Sequence, residues 1–368
     1  MRRHLPIALA FSALAALAVL SPPMAAAAAD EVPAVPVDRQ TPTKIMPVGD
    51  SITDGADEAQ GGYRTDLWQL LRADNRPIDF VGSNSSGSTA LGDRDNEGHG
   101  GYTITQVQNS IVPRLNEYLP DVVTLQIGTN DMYTDELAGA APDRLSTLLD
   151  TITETMPEAR VFVSSIPPMN NSSHNRANAF NATIPGMVAA KAADGQHVSF
   201  VDTNPAYSNP FDMIDAVHPN YGALSKGAAI WYAALTDVPT TRFEAEQTAN
   251  ATVVNAVRAQ STSASAGGKV GKIDFADSSV TFSFQVASAG TYRIRARASN
   301  GMNKTCSHKV QANGGASAST GYPSYSWDLY AVSAVDLPLV AGANKVKFTV
   351  GNCYAELDSI DVSKVPSA

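Results

Sequence analysis

In this chain of 368 residues, Ser51 stands in the segment Gly49-Asp50-Ser51-Ile52-Thr53-Asp54-Gly55, a glycine-flanked turn that follows the apolar run 45–48. A serine at such a turn projects its hydroxyl from the chain, and the N–H groups opening the next helix can face an oxyanion. Taken singly, it is more often a helix cap. Asp215-Ala-Val-His218-Pro219 changes that reading. A histidine three residues after an aspartate, on a turn closed by proline, can offer one ring nitrogen to a serine while the carboxylate holds the other. Serine needs that base, because at its own pKa it is a poor nucleophile. His99 and His174 are alternative bases, but neither has an aspartate at this offset. Gly128-Thr129-Asn130-Asp131 closes another apolar run, and Asn130 can donate its side-chain N–H to an oxyanion. Gly98-His99-Gly100-Gly101-Tyr102 can supply an unobstructed main-chain N–H. Each such donor is worth about 3 kcal/mol to a transition state. Alone, each of these blocks is an ordinary turn or cap.

The elements that must position these residues alternate in type. Apolar runs at 45–48, 79–81, 122–127 and 161–163 read as strands; 65–72, 104–118, 144–154 and 180–193, with apolar residues three and four apart, read as helices. That pattern predicts an α/β domain, a parallel sheet flanked by helices, with its site beyond the carboxyl ends of the strands. After Thr236 the periodicity falls to two, over 280–286, 291–298, 343–350 and 355–362, with Gly and Asn turns between. Such spacing predicts a β-sandwich. The expected organisation is a signal peptide over 1–29, a first domain over 42–237 and a second over 241–368, with 261–268 a loop and no internal repeat.

The signal peptide is read from Met-Arg-Arg-His, an apolar run over 5–20, Pro22-Pro23 and a string of alanines ending at Ala29. The run is short of the roughly 20 residues that span a bilayer, so export without a membrane anchor is expected. A formal net charge of -10 argues against nucleic acid, which calls for clustered cations. The only cysteines, Cys306 and Cys353, would meet an oxidising environment, and one disulfide is expected over a buried free pair. A zinc site would need more Cys or closely spaced His.

The four blocks, in this order, resemble the SGNH or GDSL hydrolases. The resemblance implies Ser51 as nucleophile, His218 as base, Asp215 as its partner, and an oxyanion hole from the N–H groups of Ser51 and Gly101 with Asn130. Gly62-Tyr-Arg-Thr-Asp-Leu, Ile78-Asp-Phe-Val-Gly-Ser and Glu97-Gly-His-Gly-Gly-Tyr-Thr-Ile resemble the carbohydrate esterase family 3 branch, whose members deacetylate xylan. Gly100 departs from that branch, where a serine is expected. Arg64 reads as a surface structural arginine in preference to a group that orders the turn at Ser51. The G-x-S-x-G motif of α/β-hydrolase lipases is absent.

Phe243-Glu244-Ala245-Glu246, Ser288-Ala-Gly-Thr-Tyr-Arg-Ile-Arg-Ala, Asn313-Gly314, Val340-Ala341-Gly342-Ala343-Asn344 and Leu357-Asp358-Ser-Ile-Asp361 resemble carbohydrate-binding modules of families 6 and 35. That resemblance implies a structural calcium held by Glu244, Glu246 and Asp358. Trp327, with Tyr322, Tyr325 and Asn352, is the candidate sugar platform, a buried core tryptophan being the alternative; Cys306 and Cys353 would brace loops near it. A secreted monomeric serine esterase that deacetylates plant polysaccharide, most of all xylan, is the leading expectation, with no cofactor for catalysis. A lipid esterase or lysophospholipase of the same superfamily, and an inactive sugar-binding surface protein, are the alternatives.

Overall fold

The structure is a computed structural model and describes residues 41–55, 60–207 and 211–366. The expected signal peptide lies outside the described residues. The first domain comprises β1 (Thr43–Gly49), α1 (Ser51–Asp54), α2 (Arg64–Ala73), β2 (Ile78–Phe80), β3 (Asn84–Ser85), β4 (Asp95–Gly98), α3 (Ile104–Tyr118), β5 (Val122–Gln126), α4 (Asp135–Gly139), α5 (Ala141–Thr155), β6 (Arg160–Ser164), α6 (His174–Ala193), β7 (Val198–Val201) and α7 (Tyr221–Thr236). The sheet runs β3-β4-β1-β5-β6-β7, with β2 also on β1; every pairing is parallel except β3 with β4.

Alternation along these strands builds the layers. Met46, Val48, Val123, Leu125, Val161 and Val163 face one core, with Ile111 and Leu115 of α3, Leu148 and Ile152 of α5 and Phe180 of α6. Ile45, Val122 and Phe162 face the other, with Leu67, Leu70 and Leu71 of α2 and Trp231 of α7. Strands covered on both faces carry continuous apolar runs, and all five residues of β5 are buried. Helix α3 buries Ile104, Val107, Ile111 and Leu115, a single stripe at helical spacing. Truncating one such leucine to alanine costs about 2–5 kcal/mol. This is the predicted α/β architecture, with strands β3, β4 and β7 added.

The second domain is antiparallel throughout. It comprises β8 (Thr241–Glu244), β9 (Ala251–Val254), β10 (Val257–Gln260), β11 (Gly268–Gly271), β12 (Ser279–Val286), β13 (Gly290–Ser299), β14 (Cys306–Ala312), β15 (Ser317–Tyr322), β16 (Tyr330–Leu339), β17 (Gly342–Cys353) and β18 (Glu356–Lys364). One sheet runs β10-β11-β18-β13-β16 with β8 on β18; the other runs β15-β14-β17-β12-β9. Val280, Phe282, Val310, Val346, Phe348, Ile294 and Ile360 fill the space between them. Cys306 and Cys353 form a disulfide with S–S 2.00 Å.

The two domains meet along the polar side of α2. Gln69 donates to Tyr330 O at 3.0 Å and accepts from Val332 N–H at 2.6 Å, while Asp66 and Asp74 pair with Arg297 and Arg295 of β13. Among the described residues, no helix is long and apolar enough to cross a membrane.

Candidate active site

Strand register gathers the site. Gly49 pairs with Gly98 of β4 and Gln126 of β5, so the carboxyl ends of three strands deliver Ser51, Gly100-Gly101 and Asn130 to one edge. A Cβ on Gly49 would lie 2.3 Å from Gln126 O, so only glycine allows the strands to close here. Asp50 caps α1 by accepting Ile52 N–H at 3.0 Å. Fully buried, its carboxyl is pushed up to about 6 by loss of solvent.

Ser51 Oγ lies 2.9 Å from His218 Nε2, and His218 Nδ1 lies 2.8 Å from Asp215 Oδ2. With Nδ1–H donated to the carboxylate, the lone pair of Nε2 is left for the serine proton; this tautomer is assigned from the hydrogen-bond network. The second oxygen of Asp215 accepts Val217 N–H at 2.7 Å and His218 N–H at 2.8 Å. Burial works against the charged form of Asp215, but the hydrogen bonds from His218 and Val217 outweigh it and hold the carboxyl below its ordinary range. Ile214 N–H donates to His218 O at 2.8 Å and closes the loop.

Gly101 has φ of 80°, and an added Cβ there would meet nothing within 4 Å, as at Gly100. Asn130 donates one Nδ2–H to Tyr102 O at 2.9 Å, tying the two donor blocks together and leaving its second N–H. Asp131 accepts Ile104 N–H at the start of α3 and pairs with Arg144, which fixes the turn that carries Asn130.

Arg64 corrects the sequence reading of a surface arginine, because it is fully buried. It donates to Thr53 O at 2.8 Å and Asp54 O at 2.7 Å, and to Ser86 O and Arg94 O across the neighbouring loop. A guanidinium has enough N–H groups to satisfy four carbonyls at once, and desolvation lowers its pKa to about 10. His99 does have a carboxylate partner, Glu97, at 2.8 Å, supplied from within the same block where an offset rule taken from Asp215 does not look. His174 bonds Met169 O and Asn178.

In the second domain the predicted sugar set is only partly brought together. Tyr322 is fully buried and its hydroxyl accepts from Thr320 Oγ1 at 2.7 Å, so it cannot offer a ring to a sugar; this corrects its assignment. An aromatic on a strand's inner face reads the same as one on its outer face when the register is unknown. Tyr325 is half-buried against the sandwich core. Trp327 is half-buried and packs on Tyr354 at 5.2 Å, a partner the sequence reading missed. Asn352 is exposed, beside the disulfide, and bonds Ser307 and Thr305 O.

Glu244 is pushed up to about 8 by burial and then by Asp358, and Glu246 to about 7 by burial. Glu244 accepts from Ser265 Oγ, and Glu246 Oε2 is buried with no partner. Asp358 accepts Ser265 N–H at 2.9 Å and Arg297 at 2.8 Å. Among the described residues, no group of three His, Cys, Asp or Glu side chains is arranged around a common metal position.

Residues 48–222 match the GDSL-like Lipase/Acylhydrolase family, and residues 241–365 match carbohydrate binding module family 35. The chain is 34% identical over 215 residues to a multidomain esterase of Ruminococcus flavefaciens, an alignment that takes in 51% of this chain and 28% of that protein. The chain therefore spans little more than a quarter of that relative's length. Among solved structures, it is similar to a Clostridium thermocellum family 3 carbohydrate esterase, at 38% identity, 52% of this chain, 94% of that chain and a TM-score of 0.49. A family 35 carbohydrate binding module from Clostridium thermocellum is 27% identical, covering 33% of this chain and 98% of that chain with a TM-score of 0.30.

Proposed function

We propose that this chain, a member of the GDSL-like lipase/acylhydrolase family over residues 48–222 that also carries a family 35 carbohydrate-binding module over 241–365, is a secreted serine esterase that removes acetyl groups from plant cell-wall polysaccharide, xylan foremost. The observation that carries the mechanism is the hydrogen-bonded line from Ser51 Oγ through His218 to Asp215.

In the first half-reaction, Ser51 Oγ attacks the ester carbonyl as His218 Nε2 takes the hydroxyl proton. Asp215 holds the imidazolium by its Nδ1–H and stays ionised. The N–H groups of Ser51 and Gly101 and the second Nδ2–H of Asn130 receive the oxyanion. The sugar alcohol leaves with the proton from His218, and water repeats the sequence on the acyl-enzyme. Gly100 and Gly101, with open space where a Cβ would stand, leave a bulky saccharide room to approach.

The module supports a polymeric substrate, since tethering it beside the esterase raises the local substrate concentration. Trp327, packed on Tyr354, is the proposed sugar platform, with Asn352 proposed as a polar member of the set. Calcium is proposed at Glu244, Glu246 and Asp358. Glu246 Oε2 is buried without a partner, and burial disfavours the charged forms of Glu244 and Glu246; a hard cation with oxygen ligands would stabilise those charged forms.

The test is acetate release from acetylated xylan, run beside long-chain acyl esters. Acetate release with the long-chain esters untouched is the expected result. Cleavage of long-chain esters alone would replace this reading with a lipid esterase, and xylan binding without cleavage of either would leave a sugar-binding protein.

A further inference from the structure

The loop presenting His218 is continuous with the first turn of α7, in the order His218, Pro219, Asn220, Tyr221, Gly222. Asn220 fastens the two together. Its Oδ1 caps the helix by accepting Ala223 N–H at 2.9 Å, its Nδ2 donates to Phe211 O at 2.7 Å, and its own N–H donates to Asp212 O at 2.7 Å. Wherever that first turn sits, His218 follows.

What covers the turn is the other domain. Residues 261–267, the loop between β10 and β11, lie directly on it: Gly222 N–H donates to Thr262 O at 3.4 Å, and a Cβ on Gly222 would stand 1.9 Å from Ala264 O. Tyr221 is buried with Ala264 and Tyr330 in a small cluster shared by the two domains. The guanidinium of Arg297 lies over both tyrosine rings, at 5.0 Å and 3.9 Å, and donates to Ser263 O at 3.2 Å. The loop is in turn fastened from behind by Ser265, whose N–H and hydroxyl go to Asp358 and Glu244. Two buried carboxylates, one buried arginine and a glycine contact thus fix a module loop against the helix that carries the catalytic loop.

We propose that residues 261–267 are a positioning element of the active site, clamping the first turn of α7 and through it the loop that sets His218 against Ser51. The proposal rests on the reading of Ser51 and His218 as the catalytic pair. The sandwich then does more than bind polysaccharide: it completes the esterase geometry, and the effect appears on substrates too small to reach the sugar platform.

The test uses the full chain and an aryl acetate, whose turnover is independent of polysaccharide binding. Gly222→Ala sets a methyl against Ala264 O, and Ser265→Ala removes the hydroxyl anchor without adding bulk. Phe275→Ser, exposed elsewhere on the module, is the control. Misplacement of a catalytic group lowers kcat while binding of a small ester changes little. Gly222→Ala should therefore lose about tenfold or more in kcat, and Ser265→Ala about threefold, with KM within about twofold in both. Gly222→Ala that folds and keeps kcat within about twofold of the parent overturns the proposal. Should Gly222→Ala not fold, Ser265→Ala decides alone, and parental kcat there overturns it. A parent chain with no turnover of the aryl acetate overturns the catalytic reading and the clamp with it.

Discussion

Asp215 Oδ2 lies 2.8 Å from His218 Nδ1, and the same carboxylate is held by two backbone N–H groups of its own loop. Asp215→Asn keeps the shape but offers an N–H where an acceptor is needed, which favours the wrong tautomer of His218. Loss of about 10²–10⁴-fold in kcat is expected at neutral pH. KM should be nearly unchanged, and because the pair is half-exposed the melting temperature should move little. Steady-state kinetics on an acetyl ester beside a thermal melt checks both.

Asn130→Ala removes the proposed side-chain donor together with its bond to Tyr102 O. A loss of about 10²-fold in kcat with little change in KM is expected. A change confined to KM would place Asn130 in substrate binding instead.

The candidate residues Ser51, Asp215 and His218, which the structure brings into one hydrogen-bonded line, were legible because the proposed chemistry restricts them: few residue types do such work, and each stands at a turn that glycine or proline marks. The layers were legible where strands carry apolar runs. Strand β4 was not, since Asp95-Asn-Glu-Gly98 has no apolar pattern; it is a strand because it pairs with β1 and because Asn96 and Glu97 are buried in polar contacts. Helix α7, buried on most sides, shows no narrow stripe. Alternation along β13 puts Arg293, Arg295 and Arg297 on one face, but nothing local says that α2 of the other domain covers that face. The contribution of Tyr354 to the aromatic pair also depends on tertiary contact alone.

Asp66 and Arg297 form a buried ion pair between the domains at 3.1 Å. Asp66→Asn leaves a buried guanidinium with Asp358 as its one remaining carboxylate, so stability should fall by about 3–5 kcal/mol. Calorimetry of the parent should give one cooperative transition, shifted downward in the variant. Two transitions, with the variant unchanged, would mean that the domains behave as separate bodies.

The carboxyls of Glu244 and Glu246, raised from an ordinary 4.5 to about 8 and about 7, give a pH dependence of definite sign. In this range these two groups bind more protons in the folded cation-free protein than in the unfolded chain, so the stability they contribute is full below about pH 4.5 and is lost as pH rises through 7 to 8. Calcium at the site should cancel that loss. Melts at pH 8 in chelator against millimolar calcium should differ by about 5 °C or more, with the difference shrinking towards pH 5. Equal melts across this range would exclude the site.

The central claim is that Ser51 is the nucleophile, and the most direct measurement is mass-spectrometric mapping of the adduct formed by a serine-directed phosphonate, with acetate release followed in parallel. One adduct per chain on Ser51, with activity lost in step with labelling and no labelling of Ser51→Ala, is the predicted result. Full activity after complete labelling, or an adduct on another residue that accounts for the loss, would contradict it.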